Sequence, residues 1–182
     1  MPVKARDRLL ATAETLFYAE GIRAVGVERI LTDSGVGRAS FYRHFAGKDD
    51  LVVAVLEGRD ARWRAWLEAR VTALGGDPLT VFDALAERFA ERDFRGCAFI
   101  NTMVESADPG SAAHQVAAHH KERVIALLTR ILDDAGVREP AGLAKEFALL
   151  VDGAIVTAVR EGTPEAAHRA RAVAAVLLAS RT

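Results

Sequence analysis

Residues 27–48 read VERILTDSGVGRASFYRHFAGK, and this stretch carries the most specific structural pattern of the chain. Apolar residues recur at helical spacing on both sides of Gly35-Val36-Gly37, which predicts one short helix over 27–34 and another over 38–45. Two glycines within three residues permit the sharp turn between them. Two short helices joined by a tight turn form the layout of a DNA-binding helix-turn-helix, whose second helix enters the major groove.

The second predicted helix has one apolar side and one polar side. Phe41 and Phe45 lie four residues apart, so both are expected to pack inward, against Leu9, Ile30 and Leu31. Small residues, two arginines, a tyrosine and a histidine are left to face outward: Arg38, Ala39, Ser40, Tyr42, Arg43 and His44. Small side chains allow a close approach to DNA, and arginine can donate two hydrogen bonds to guanine.

This part of the chain resembles the signature of the tetracycline-repressor (TetR/AcrR-like) family of transcriptional regulators. The resemblance is carried by residues 35–45 with KDDL at 48–51, by AETLF at 13–17 with EGI at 20–22, and by VERI at 27–30. It is specific over residues 6–56. Beyond them it rests on length, helical content and helix order.

The resemblance implies roles for individual side chains. Four positions match residues that face base edges in the family: Arg38, Ala39, Ser40 and Arg43. Three positions match residues that grip phosphates: Tyr42, His44 and Lys48, the last at the start of a long fourth helix. The chemistry agrees, because a tyrosine hydroxyl, an imidazole, an ammonium group and a helix N-terminus are all suitable phosphate partners.

Two departures from the family's pattern matter. Family members usually have Ser or Thr near Gly26 and Gly37, as N-caps of the second and third helices. Glycine is a tolerated cap, but it lacks a hydroxyl that could touch a phosphate. Glu28 stands where some relatives have a basic residue that contacts DNA, so no contact is assigned to Glu28.

Charge is distributed unevenly along the chain. The 182 residues contain 24 Lys and Arg against 25 Asp and Glu, and a net charge of −1 looks unfavourable for a nucleic-acid-binding protein. Residues 1–48 hold eight basic and five acidic side chains, a net charge of +3, whereas the remaining residues hold sixteen and twenty, a net charge of −4. The basic excess therefore coincides with the helix-turn-helix motif.

Helical spacing continues to the end of the chain, and no segment alternates with period two between hairpin signals, so no strand is expected. The predicted fold class is all-α with about nine helices. The resemblance implies that an N-terminal three-helix head stands on a C-terminal bundle that dimerises. Asp77 and Pro78 are predicted to be the N-cap and the first residue of one helix. We divide the chain into a DNA-binding domain at 1–48 and a ligand-binding and dimerisation domain at 49–182.

The C-terminal domain shows no sign of enzyme chemistry. It has no glycine-rich phosphate loop and no nucleophile elbow, so neither catalysis nor a cofactor nor a metal site is expected. Cys97 is the single cysteine of the chain, which excludes a disulfide framework, and a redox-sensing role for its thiol stays open. Three histidines lack the spacing that would place two metal ligands on one helical face, and they are expected to be exposed: His114, His119 and His120.

The resemblance implies that this domain binds a small molecule, which we expect to be largely apolar, between its helices. The candidate lining residues are aromatic, apolar or isolated polar side chains: Trp63, Trp66, Phe82, Phe89, Phe99, Asn101, Met103, Phe147 and Asp152. Asn101 and Asp152 are the most informative, because a buried polar group requires a partner. The alternatives are that the aromatic residues only fill the core and that Asp152 lies at a subunit interface.

The last two helices each carry an apolar stripe. The stripe over 147–158 is formed by Phe147, Leu150, Val151, Ala154, Ile155 and Ala158, and the stripe over 173–178 by Val173, Ala174, Val176, Leu177 and Leu178. Two such helices from each of two subunits are expected to form a four-helix interface about a two-fold axis. Burial of one stripe inside each monomer is the alternative.

The predicted function is a ligand-responsive transcriptional regulator: a repressor that binds a pseudo-palindromic operator as a homodimer and is released by a small molecule. A cytoplasmic location is expected, because apolar stretches such as 51–56 and 172–179 are too short to span a bilayer. Two alternatives stay open. One is a helical small-molecule carrier or an enzyme that has lost DNA binding, and the other is a thiol-based redox-sensing regulator.

Overall fold

A computed structural model describes residues 4–181, and this range contains nine helices and no strand. The helices are α1 (Ala5–Glu20), α2 (Val27–Ser34), α3 (Arg38–His44), α4 (Lys48–Ala73), α5 (Thr80–Phe89), α6 (Ala98–Glu105), α7 (Ala112–Asp134), α8 (Pro140–Glu161) and α9 (Glu165–Ala179). The predicted all-α class is confirmed. Within the described range, every helix is too short or too polar to cross a membrane. Residues 1–3 of the predicted 1–48 domain lie outside the description.

The turn between α2 and α3 depends on Gly35. Its φ of 62° and ψ of 26° place it in the left-handed region, which side chains disfavour because Cβ approaches the following carbonyl oxygen. Its N–H donates to the Thr32 carbonyl at 3.3 Å, and the Ser34 hydroxyl accepts the Val36 N–H at 3.3 Å. Gly37, with φ −69° and ψ 150°, then leads into α3 without a side-chain cap.

The start of α5 differs from the prediction. The α-helix begins at Thr80 with Leu79 as its N-cap, and Asp77 and Pro78 belong to a turn that precedes it, so the predicted N-cap was wrong by two residues. The N–H groups of Thr80, Val81 and Phe82 bond to carbonyl oxygens three residues earlier, at 2.9–3.3 Å. Such bonds are those of a tighter helix, which often precedes an α-helix. The Asp77 carboxylate still accepts a backbone N–H, that of Leu79, at 2.8 Å.

The chain divides into two compact units. Within the described range, the first comprises residues 4–60 together with Ala98–Ala118, and the second comprises Ala61–Cys97 and residues 119–181. Helices α4 and α7 contribute residues to both units. These structural units do not coincide with the predicted DNA-binding and ligand-binding domains, whose boundary lies between residues 48 and 49. The predicted functional boundary stays a prediction.

In the first unit, α1 packs on α2 and α3. Leu9, Ile30 and Phe41 are fully buried, and Leu31 and Phe45 are nearly so. The rings of Phe41 and Phe45 lie 5.9 Å apart, centroid to centroid. The two phenylalanines of α3 are thus on the inward side, as the i, i+4 spacing predicts.

In the second unit, α9 packs on α5 and α8. Phe82 of α5 and Phe147 of α8 are fully buried, with ring centroids 5.4 Å apart. The expectation that the stripe over 147–158 forms a subunit interface is wrong, because five of its six members are buried within this unit: Phe147, Val151, Ala154, Ile155 and Ala158. In the stripe over 173–178, Val173 and Val176 are exposed and Ala174 is buried. Three apolar residues of α8 that belong to neither stripe are also exposed: Leu149, Val156 and Val159.

Gly35→Ala is expected to lower the free energy of unfolding by about 1–2 kcal/mol, because alanine must adopt the left-handed conformation. The atom nearest to the added Cβ is Arg8 Nη1 at 4.0 Å, so strain in the backbone, and no clash, causes the loss. Gly35→Asn is the matched control, since asparagine tolerates this region. Urea denaturation measures both, and an equal loss in the two variants would contradict the explanation.

Candidate functional site

The polar side of α3 is open to solvent. Five of the six residues predicted to face outward are exposed: Arg38, Ala39, Tyr42, Arg43 and His44. The sixth, Ser40, is half-buried. Helical geometry explains the arrangement, because Phe41 and Phe45 take the inward positions and leave the intervening residues outside.

Tyr42 is 52% exposed, yet its ring is anchored. It makes a T-shaped contact with the ring of Phe41, with centroids 5.1 Å apart. This contact restricts the ring, while about half of the residue's surface stays exposed to solvent. The side chain therefore has the form that suits a phosphate contact, a rigid apolar body with a polar tip.

Lys48 is the first residue of α4 and is half-buried. The turn before it is held by Asp50, whose Oδ2 accepts the Ala46 N–H at 3.0 Å. A lysine at a helix N-terminus combines an ammonium charge with the positive end of the helix dipole. Within residues 4–181, Arg43, His44 and Lys48 form no ion pair, so their positive or ionisable ends stay available.

Two other arginines of the head are held by carboxylates. Arg38 Nη2 donates to Glu28 Oε1 at 2.5 Å, and Arg29 Nε donates to Asp33 Oδ2 at 2.6 Å. The hydrogen bond and the charge of Asp33 raise the pKa of Arg29 above its ordinary value. The i, i+4 spacing of Arg29 and Asp33 could have revealed their pair, but no spacing rule connects Glu28 with Arg38.

Helices α1, α4 and α6 of the first unit meet at a narrow cleft. Arg59 of α4 donates to Glu14 Oε1 of α1 at 3.1 Å, and its guanidinium carbon lies 4.1 Å from the centroid of the Tyr18 ring. Glu105, the last residue of α6, accepts the backbone N–H of Arg23 at 2.9 Å. The loop between α1 and α2 is therefore held by a helix outside the three-helix head.

The nine candidate ligand-binding residues are not brought together in one compact unit. Phe99, Asn101 and Met103 are in the first unit, and the other six are in the second. Asn101 is exposed, so the argument from a buried polar group does not apply to it. Asp152 is half-buried and its Oδ1 accepts a bond from Lys121 Nζ at 2.5 Å.

Among the six in the second unit, Phe82, Phe89 and Phe147 belong to its core. The two tryptophans are half-buried, with ring centroids 6.3 Å apart. They are the members of the set that combine an apolar surface with partial access from solvent.

His120 is buried, so the expectation of three exposed histidines was wrong. Its ring makes a T-shaped contact with the ring of Trp63 at a centroid distance of 5.4 Å. The buried residues Ala117, Val124 and Leu127 recur around it at helical spacing, and this pattern places His120 on the inner face of α7. His114 is half-buried, and its Nδ1 lies 3.1 Å from the Ser106 carbonyl oxygen.

Comparison with known proteins identifies the head. A family model described as bacterial regulatory proteins, tetR family, matches residues 9–55. The match covers α1 from residue 9 onward, α2, α3 and the first part of α4, so it includes the exposed polar side of α3 and Lys48.

Similarity to solved structures extends over the whole chain. A TetR-family transcriptional regulator from Streptomyces coelicolor is 33% identical, with a TM-score of 0.88 over 100% of this chain and 91% of the other. The reduced form of Escherichia coli NemR is 25% identical, with a TM-score of 0.81 over 94% and 95%. In sequence, the HTH-type transcriptional repressor NemR of E. coli K12 is 26% identical over 134 residues, 71% of this chain and 67% of that protein. The chain is a member of the TetR family of transcriptional regulators.

Proposed function

We propose that the protein is a repressor that binds a pseudo-palindromic operator as a homodimer in the cytoplasm and is released by a small molecule. The main support for the proposal is the exposure of the polar side of α3. Phe41 and Phe45 on the opposite side of the helix are buried and hold it against the head. That helix would lie in the major groove, with Arg38, Ala39, Ser40 and Arg43 against base edges. Tyr42, His44 and Lys48 would hold the flanking phosphates.

A dimer follows from the need to bind two half-sites. Two heads of a symmetric dimer contact major grooves about 34–36 Å apart, one helical turn of DNA. The exposed apolar residues of α8 and α9 supply a surface for association, since such residues lose contact with water when two copies pack together. In this arrangement, Leu149 and Val156 of α8 lie in the interface.

The effector site would lie in the domain at 49–182, beside Trp63, Trp66 and His120. Two half-buried indoles and a buried imidazole suit a largely apolar molecule. Asp152 and Lys121 could provide the polar contact that orients it. Both tryptophans and Lys48 are on α4, so a ligand that displaces the tryptophans acts on the helix that begins at the phosphate contact.

A response requires that the ligand bind two states of the protein with different affinity. We infer that the two states differ in the contacts that attach α4 and α6 to the three-helix head. Glu105 holds the backbone of Arg23, and Arg59 holds Glu14, so both α6 and α4 are attached to the head. A ligand that shifts α4 would change these contacts and the position of α3.

The alternative of a carrier or enzyme without DNA binding is tested on the phosphate contacts. Lys48→Ala and Tyr42→Phe are expected to weaken binding to every DNA sequence. For Lys48→Ala, the slope of log K against log salt falls by about 0.9, the value for one lost phosphate contact. Fluorescence anisotropy with an operator selected from random DNA measures both. Lys145→Ala, at an exposed lysine of α8, is the charge-matched control. If the wild-type protein prefers no pseudo-palindrome at any salt concentration, the repressor assignment is wrong.

The dimer is tested by a charge in its proposed interface. Leu149→Glu is expected to convert the protein to a monomer in sedimentation-velocity runs at micromolar concentration, because burial of an unpaired carboxylate is costly. Val104→Glu on α6 is the matched control, since both side chains are 78% exposed. A monomeric wild-type protein, or equal effects of the two variants, would contradict the proposed interface.

The effector site is tested through tryptophan fluorescence, because the chain has two tryptophans and both lie in the proposed site. An apolar compound that raises the melting temperature is expected to change the emission as well. A ligand at 100-fold its Kd adds about 2.7 kcal/mol to stability. Trp66→Phe leaves Trp63 as the reporter and is expected to retain the emission change. A stabilising compound that leaves the emission unaltered binds elsewhere, and would count against this site.

A further inference from the structure

Glu28 has no assigned DNA contact, yet its side chain meets the first residue of α3. Its Oε1 accepts a hydrogen bond from Arg38 Nη2 at 2.5 Å. The side chain of Glu28 is 69% exposed and that of Arg38 is 61% exposed. The pair therefore lies on the surface that presents α3 to solvent.

We propose that Glu28 is a positioning residue that reserves Arg38 for a guanine base of the operator. The inference rests on the proposed function, because it assumes that α3 enters the major groove. A guanidinium has five N–H donors in a rigid fork, and Glu28 engages one nitrogen at its end. The remaining donors stay free for the O6 and N7 acceptors that guanine presents in the groove.

The carboxylate restricts where Arg38 can reach. An unrestrained arginine is flexible and is attracted to every phosphate within its range. A carboxylate beside it repels phosphates and holds the guanidinium near the start of α3. Both effects disfavour contact with the DNA backbone, which carries no sequence information.

The attraction between the two charges is stronger in the complex than in the free protein, and the loss of their hydration offsets part of this gain. Exposed ion pairs are screened by water and salt, so the free protein gains little from this one. When DNA excludes water from the surface, the same attraction becomes stronger because the local dielectric falls. Glu28 thus increases specificity: it weakens binding to DNA of any sequence and preserves the contact of Arg38 with one base.

Asp33 provides a comparison on the same helix. Its carboxylate binds Arg29 at 2.6 Å, four residues earlier on α2, and this pair includes no residue of α3. Asp33→Asn therefore removes the same charge from α2 as Glu28→Gln but leaves Arg38 in its ion pair. The two substitutions separate the effect of net charge from the effect on Arg38.

The experiment compares base preference in four proteins: wild type, Glu28→Gln, Arg38→Lys and Asp33→Asn. Each selects sites from a random DNA pool, and competition with single-base variants of the selected operator then gives relative affinities at fixed salt. Glu28→Gln and Arg38→Lys are expected to lose the guanine preference at the same half-site position, by about tenfold. Glu28→Gln should also bind non-operator DNA more tightly, with a salt slope steeper by about 0.9. Asp33→Asn should keep the guanine preference.

Three results would overturn the role of Glu28. The first is an unchanged preference in Glu28→Gln at the position that Arg38→Lys affects. The second is a loss at a different position, which would mean that Glu28 contacts a base itself. The third is an equal loss in Asp33→Asn, which would assign the effect to charge alone. A wild-type protein without sequence preference would overturn the proposed repressor, and this role with it. Circular dichroism and melting temperatures confirm that each variant folds.

Discussion

The backbone at Gly35 is the constraint on which the rest of the head depends. Its left-handed conformation turns the chain within three residues, so α3 leaves α2 at a defined angle. That angle places Phe41 and Phe45 in the core of the three helices. Once the two rings are buried, helical periodicity leaves the side chains between them outside. The composition of the polar side and the shape of the turn therefore act together, since neither alone would present these groups on one surface.

Much of the head could be predicted from the sequence because its signals are local. Glycines mark the ends of α1 and α2, and the four-residue spacing of Phe41 and Phe45 identifies the inner side of α3. The first residue of α5 could not be predicted in the same way, because the sequence Asp77-Pro78 is compatible both with the N-terminus of an α-helix and with the tighter turn that forms. The two helix starts differ only in which carbonyl oxygen accepts each N–H group: the one three residues earlier in the tighter turn, or the one four residues earlier in an α-helix.

The parts that could not be predicted involve choices between faces and between distant partners. The stripe over 147–158 is apolar whether it faces its own core or a second subunit, so composition alone could not decide. The exposure of Asn101 depends on how α6 packs, which its neighbours in sequence do not determine. Glu28 and Arg38 are ten residues apart, and their contact depends on the turn geometry and on two side-chain conformations. Side-chain ion pairs across a turn have no periodicity by which a sequence would reveal them.

The length of α4 has a mechanical consequence. Its 26 residues form one uninterrupted helix, and at 1.5 Å per residue it spans roughly 39 Å. In a lever of this length, a tilt of about 5° about one end moves the other end by roughly 3 Å, as much as the whole length of a hydrogen bond. If α4 moves as a rigid rod, a small tilt near the tryptophans would thus produce a larger displacement at Lys48. In the proposed release by a small molecule, binding must therefore rotate α4, and a molecule that fills the site without rotating the helix would cause no response.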